Sequence, residues 1–518
     1  MATKGGGAIL DRNLRPLTEG KLQTGLAVFA SVGSSEEEYQ EWLETISAYT
    51  SLSQEEIVQR SSFRRPIPLN KALPETLELP HWIVPVTGDW DAEGKFCRYT
   101  HGKDFACHVL GFTTIHSSAE DSPGLVVGQL GIEKAFDEHL RSPRPGVAAV
   151  VDANDCLIDG LGYRSTIAPE DLPNVVLSLD ARVQQVVESI FDEYIRRNLV
   201  PPYGAIVVMD PRTGDVLAMV SRPVIDGEKN HYNRATRKAE TVAMLPLASV
   251  VKLITAAAAL EQNRQLYYAR YNCTGSLPLG SNDFSCAFGP HGLQDMTQAL
   301  ANSCNIYFAQ LAREVGGEAL LEMAVALGLG KKPEIGLSSS EVGAGNLPEP
   351  LDLATAAGLA NHFAMGGNKL EVTPLQVAAM LSAIANGGYY VEPRLVLGVD
   401  QDLAKELVPP PVKREQIMRA TTAQLLARMM HISVREGSAG NFDKGAYPYA
   451  ANNLAAKTGT SDANLRPLGH QVRWNAGFFP WRNPRYVVVY MAEVPPGTSR
   501  VRREQIVAEI AEELAKLK

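Results

Sequence analysis

The spacing of apolar positions divides this 518-residue chain into a weakly patterned first third and a strongly patterned remainder. In the first third one stretch stands out. Glu36 to Tyr49 is acidic at its start and carries Tyr39, Trp42, Leu43 and Ile46 at i, i+3, i+4 and i+7, which predicts an amphipathic helix. Pro66, Pro68, Pro74, Pro80 and Pro85 then cut the chain into extended pieces. His101, His108, His116 and His139 are scattered without ligand-like spacing and read as surface or core histidines.

Pro169 to Pro173 marks a boundary, after which the elements become legible. Val175 to Leu179 reads as a strand, and Asp180 caps a helix from Ala181 to Arg197 with Val183, Val186, Val187 and Ile190 on one face. Gly204–Asp210 and Val216–Ser221 read as two strands joined by the turn Asp210-Pro211-Arg212-Thr213-Gly214-Asp215. Ile254 to Leu260 is apolar and alanine-rich, which predicts a buried helix starting near Ser249. Gln298 to Val315 reads as one helix, and another opens at Pro374 and closes at Asn386-Gly387-Gly388. Leu454–Gly459 is a strand, Trp474–Phe479 and Tyr486–Ala492 a hairpin, and residues 502–518 a closing helix with Ile506, Ile510, Leu514 and Leu517 on one face. Strands first and last, with helices between, predict one antiparallel sheet in which the N- and C-terminal strands meet. That is an α+β architecture with an inserted helical subdomain, giving domains at 1–172 and 173–518.

Composition adds exclusions. At 45% apolar and 21% charged the chain is globular, with length for two domains. A net charge of −9 and a pI near 5.7 argue against a nucleic-acid binder, which needs a basic stripe. No run of 18 apolar residues occurs, and no charged segment followed by an apolar one opens the chain. Met1 to Gly7 reads as a start grafted onto a truncated chain.

The candidate chemistry begins at Leu247-Ala248-Ser249-Val250-Val251-Lys252. Residues three apart on a helix share a face, so Ser249 and Lys252 can exchange a proton. A serine is a weak nucleophile until a base takes its proton, and a lysine can be that base when burial lowers its pKa. Alone, the pair reads more readily as a serine cap and a snorkelling lysine than as a catalytic pair. Ser303-Cys304-Asn305 and Lys457-Thr458-Gly459-Thr460 follow in order. S-x-x-K, S-x-N and K-T-G in that order are the signature of penicillin-binding proteins and serine β-lactamases.

On these motifs the chain resembles a class B penicillin-binding protein over nearly its whole length. Asp210–Met219, Val372-Thr373-Pro374-Leu375-Gln376 and Asn386-Gly387-Gly388 are similar to stretches of that family. Gly7–Asn13, His108–Gly111 and Gly131–Glu133 resemble its non-catalytic N-terminal pedestal. Leu14 stands where a glycine is usual, and Gly366-Gly367 replaces a usual Gln-Gly. No E-D-x-x-F-x-x-H-x-G of a glycosyltransferase module is present.

The resemblance implies a penicillin-binding transpeptidase domain, an antiparallel sheet with a helical subdomain, behind a mixed α/β pedestal. It implies acyl transfer from a D-Ala-D-Ala stem peptide of peptidoglycan, with β-lactams acylating the same serine. Ser249 would be the nucleophile and Lys252 the proton acceptor. Ser303 would pass the proton to the leaving amine, and Asn305 would bond Lys252 or the substrate amide. The N–H groups of Ser249 and Thr460 would hold the oxyanion, while Lys457, Thr458 and Gly459 would meet the substrate carboxylate. No cofactor is required for this chemistry, and nucleic acid is not a partner. Cell-wall synthesis membrane proteins of the divisome or elongasome are expected partners. The expected location is the extracytoplasmic face of the bacterial cell membrane, with the family's anchor helix missing from this chain.

Two further readings share the fold: a hydrolase, either a D,D-carboxypeptidase or a β-lactamase, and a non-catalytic penicillin sensor or septal scaffold. Cys273, Cys286, His291 and Cys304 form a second constellation, with twelve, four and twelve residues between successive members. They read either as a Cys₃His structural zinc site or as a Cys273–Cys286 disulfide with a buried Cys304. Cys97 and Cys107 could pair in the pedestal, leaving Cys156 odd.

Overall fold

The computed structural model describes residues 7–18, 22–29, 36–62, 67–71, 73–74, 77–80, 82–89, 104–116, 125–140, 147–153, 158, 163–165, 173–225, 244–279, 282–367, 369–400, 409, 411–461, 469–498 and 501–517. Cys97, His101 and Cys156 lie outside them. The chain forms two units. One comprises Met1–Asp104, Leu110–Leu177 and Leu397–Pro409, and the other Phe105–Val109, Ser178–Val396 and Pro410–Lys518.

In the first unit, Leu22–Val28 is the central strand of an antiparallel sheet, flanked by Ile67–Pro68 and Ile83–Asp89. The helix Glu36–Ser47 buries Trp42, Leu43 and Ile46, the face predicted from their spacing. These side chains pack with Leu26, Trp82 and Ile83, and the Trp42 and Trp82 rings meet edge to face at 5.3 Å. The prolines conceal the sheet in the sequence. Pro68 and Pro85 lie inside the two outer strands, where a missing N–H is tolerated on the unpaired side. Leu14, which replaces the usual glycine, adopts the left-handed conformation at φ 59°, and Asp11 braces the turn by accepting from the N–H groups of Asn13 and Arg15.

The second unit is built on a five-stranded antiparallel sheet in the order Val216–Arg222, Gly204–Met209, Tyr486–Val494, Gln471–Phe479, Ala455–Thr460. The first and last parts of the domain do meet: Gly204 to Met209 pair with Ala492 to Val487. One face is covered by the helices Ala181–Arg196 and Arg503–Lys516. Their Val187, Ile190, Phe191, Ile506, Ile510 and Leu514 are buried against Val208, Val488 and Tyr490. Full burial of such a side chain stabilises by about 1.5–3 kcal/mol. Asp180 starts the first of these helices by accepting from the Arg182 N–H.

The other face carries the helix Pro374–Ala385, begun by a reciprocal cap between Thr373 and Gln376. The helix Lys252–Gln262 packs among Asn305–Val315, Gly317–Ala326, Ala356–Phe363 and Ala420–Glu436, and is buried from Lys252 to Leu260. A helix enclosed on all sides must be apolar all round, which explains its alanine-rich sequence. One prediction needs correcting. The helix expected over Gln298–Val315 is broken into Met296–Ala301 and Asn305–Val315, because Ser303 takes a left-handed conformation at φ 53°. Among the described residues no helix is long and apolar enough to cross a membrane.

Candidate active site

Ser249 lies in the 3-10 turn Ala248–Val251 that feeds the helix Lys252–Gln262. Ala248 enters that turn at φ 52°, a conformation that costs an L-residue about 1–2 kcal/mol. Its N–H donates to the Gly366 carbonyl at 3.1 Å. Gly366 is itself at φ 68°, and a Cβ there would stand 2.3 Å from the Ala248 carbonyl oxygen. The Gly366-Gly367 departure thus places a glycine where the backbone presses on the Ser249 turn.

Lys252 is fully enclosed, and its Nζ lies 2.7 Å from Ser249 Oγ and 2.9 Å from Asn305 Oδ1. Burial pulls its pKa down from 10.5 to about 7, against the smaller opposing influence of Cys304 and Cys286. Asn305 is fixed from its other end, where Nδ2 donates to the Ser285 carbonyl at 3.2 Å. Its amide oxygen is therefore the atom that faces the lysine.

The left-handed Ser303 closes the break between the two helices and directs its Oγ to Lys457 Nζ at 2.8 Å. Lys457 is also fully enclosed, donates to the Thr458 carbonyl at 2.8 Å, and is held well below its ordinary pKa by burial, then by Lys252 and Arg503. Its amine thus meets Ser303 and the strand backbone from within the fold. Ala455–Thr460 is the edge strand of the sheet. The Ser461 N–H bonds the Val472 carbonyl inward, so by the alternation of an antiparallel ladder the Thr460 N–H points off the open edge. The Cβ position of Gly459 approaches Val250 and Ala248 at 3.2 and 3.3 Å, and Trp474 Nε1 donates to the Pro246 carbonyl, drawing the edge strand against the Ser249 turn.

The three predicted motifs therefore converge. Two residues, Ser438 and Arg503, were not anticipated. Ser438 Oγ meets Thr458 Oγ1 at 3.2 Å, and Arg503 Nη1 donates to the Gly459 carbonyl at 2.6 Å and Thr460 Oγ1 at 2.7 Å.

The second constellation also converges. Donor atoms of Cys273, Cys286, His291 and Cys304 all lie within 4.8 Å of one another, and the thiols are not bridged. His291 Nδ1 is 3.5 Å from both Cys273 and Cys286 Sγ, and Cys286 and Cys304 sulfurs are 3.9 Å apart. Two short antiparallel pairings bring the four together, Tyr271–Cys273 with Gly292–Gln294 and Ser276–Leu279 with Asn282–Ser285. Tetrahedral zinc, with Zn–S of about 2.3 Å and Zn–N of about 2.0 Å, separates its ligand atoms by roughly 3.5–3.8 Å, which fits these distances. Cys304 follows Ser303 directly, and the Asn305 N–H bonds Cys286, so the cluster sits immediately behind the S-x-N turn.

A family model described as penicillin binding protein transpeptidase domain matches residues 204–513. The chain is 27% identical to stage V sporulation protein D of Bacillus subtilis over 475 residues, 88% of this chain and 69% of that protein. It is 29% identical to penicillin-binding protein PbpB of Mycolicibacterium smegmatis over 388 residues, 71% of this chain but 57% of that one. Among solved structures, PBP2 of Helicobacter pylori, in a complex with MreC, aligns at a TM-score of 0.70 and 21% identity over 99% of this chain and 97% of that one. PBP3 of Mycobacterium tuberculosis with aztreonam aligns at 0.66 and 22% identity over 99% and 96%. The chain belongs to the penicillin-binding protein transpeptidase family, among the class B penicillin-binding proteins.

Proposed function

We propose that the second unit is a peptidoglycan D,D-transpeptidase working through a serine acyl-enzyme. The observation that carries this is the enclosed Lys252 amine 2.7 Å from Ser249 Oγ, with a pKa brought close to neutrality. Relatives named peptidoglycan D,D-transpeptidase, among them PbpA of Mycolicibacterium smegmatis at 29% identity over 57% of this chain, point the same way.

Ser249 Oγ attacks the carbonyl of the penultimate D-alanine and gives its proton to Lys252 Nζ. The oxyanion is received by the N–H groups of Ser249 and Thr460. As the C–N bond breaks, Ser303, held by Lys457, relays that proton from Lys252 to the departing D-alanine amine, so that both groups return to their starting protonation. A second stem-peptide amine then attacks the Ser249 ester, forming the cross-link amide and returning the proton to the serine. Water in place of that amine gives a D,D-carboxypeptidase side reaction, and a β-lactam stops at the acyl stage. Lys457 supports Ser303 from within, so the substrate carboxylate is met by the hydroxyls of Thr458 and Thr460 and by the edge-strand backbone.

Cys273, Cys286, His291 and Cys304 would hold a structural zinc. Three thiolates and an imidazole suit zinc rather than calcium or magnesium, which take oxygen ligands. The metal would stiffen the turn that presents Ser303 and Asn305 and would take no part in the acyl transfer. The disulfide reading uses two of the four converging donors and leaves the others unexplained. Membrane proteins of cell-wall synthesis are proposed as partners, at the extracytoplasmic face of the bacterial membrane, since a solved relative by fold is in complex with MreC.

The test is the lifetime of the adduct formed with a fluorescent penicillin. A lifetime of minutes to hours, with cross-link formation from stem peptides, supports the transpeptidase. Turnover within seconds favours a β-lactamase, and no adduct favours a non-catalytic role.

A further inference from the structure

Arg503 opens the closing helix Arg503–Lys516, and its guanidinium lies at the outer end of the edge strand. Its Nε is fixed by Glu504 at 2.7 Å, and Nη1 donates to the Gly459 carbonyl and to Thr460 Oγ1. Nη2 makes no hydrogen bond among the described residues. We infer that Arg503 is a positioning and specificity residue for the anionic end of the ligand, turning the Thr460 hydroxyl outward and holding a permanent positive charge beside it. This rests on the acyl-transfer reading of the Ser249 site.

The argument is one of valence and charge. A threonine hydroxyl has one proton and two lone pairs. With a lone pair committed to Arg503, its proton is left to donate to an acceptor in the cleft. Thr460 is exposed, and its neighbour Gly459 abuts Ala248 and Val250 on either side of the nucleophile. A carboxylate docking there needs a neighbouring cation that stays charged. Lys457 does not supply it, being enclosed and committed to Ser303 and the Thr458 carbonyl. A guanidinium does not lose its proton in proteins. Arg473, paired with Thr460 across the ladder, adds a second guanidinium near Glu504, so two cations face one carboxylate and a net positive charge remains.

The test uses the full chain, with benzylpenicillin and its methyl ester, which lacks the carboxylate charge. Acylation rates are measured across ligand concentration for wild type, Arg503→Gln, Arg503→Lys and Thr460→Val. Arg503→Gln should slow benzylpenicillin acylation about ten- to a hundredfold, through weaker binding rather than a lower maximal rate. The same change should slow the ester by about threefold or less, and Arg503→Lys should restore most of the loss. Thr460→Val, which leaves the helix untouched, should show the same selectivity for the charged ligand and carries the test if Arg503→Gln does not fold. Equal losses on both ligands, or a fall in the maximal rate alone, would overturn the inference. Failure of wild type to be acylated at all would instead overturn the acyl-transfer reading.

Discussion

Lys457 Nζ and Ser303 Oγ are 2.8 Å apart, and the lysine of that pair has no exposed surface. The bond joins the edge strand of the sheet to the break between two helices. It gives Lys457 a task inside the site, different from that of a surface cation.

Lys457→Met should therefore slow acylation by charged and uncharged β-lactams to the same extent. Leaving the buried Ser303 hydroxyl without its partner corresponds to about 1–3 kcal/mol, or roughly five- to 150-fold in rate. A loss confined to carboxylate-bearing ligands would show that Lys457 meets the carboxylate directly.

Acylation should rise with pH through about 7 and level off above it, because Lys252 accepts a proton only when neutral. Lys252→Ala should lower the rate by about 10²–10⁴-fold and remove this limb of the profile. A variant that keeps the limb would assign the titration to another group.

The same lysine makes a stability prediction. Its pKa falls from 10.5 in the unfolded chain to about 7 in the fold. Between those values the unfolded chain binds the proton and the folded chain does not, so the destabilisation grows as pH falls from 10.5 to 7 and is constant below. Lys252→Met should thus melt above wild type, by a wider margin at pH 7 than at pH 10. Calorimetry showing the margin unchanged, or reversed, would contradict the assignment.

Gly366→Ala should be among the most damaging small substitutions in the domain. The new Cβ meets the Ala248 carbonyl oxygen at 2.3 Å, and the residue sits at φ 68°. A loss of about 2 kcal/mol or more, with slowed acylation, is expected from strain of this kind. Ala248→Gly should do the reverse and gain about 0.5–1 kcal/mol by relieving φ 52°. Urea titrations of both variants test the pair.

Much of the second unit is legible in the sequence, because its signals are local. Asp180 and Thr373 are caps, Asp210 to Asp215 is a turn, and the closing helix keeps its apolar face. The helix break at Ser303 is not legible, since Ser303-Cys304-Asn305 interrupts an otherwise helical run without a glycine or proline to announce it. The left-handed turn is imposed by packing and by the bond to Lys457. Arg503 is invisible for a different reason: it lies 43 residues beyond Thr460, and only the fold brings them together. In the first unit Pro68 and Pro85 look like strand breakers but sit on outer strands, so the pattern hides a sheet that is present.

If zinc occupies the Cys273, Cys286, His291 and Cys304 cluster, a strong chelator should lower the melting temperature and slow acylation together, since a closed site contributes folding free energy. A reductant should do neither. Elemental analysis without zinc, together with an oxidised Cys273–Cys286 pair, would establish the disulfide and leave the catalytic assignment standing.

The central claim is that Ser249, activated by the enclosed Lys252, is the residue acylated. Mass spectrometry of the protein after incubation with benzylpenicillin, followed by peptide mapping, tests it most directly. The account predicts one adduct of the intact drug's mass on the peptide containing Ser249, absent from a folded Ser249→Ala variant. An adduct on any other residue, or its persistence in that variant, would contradict it.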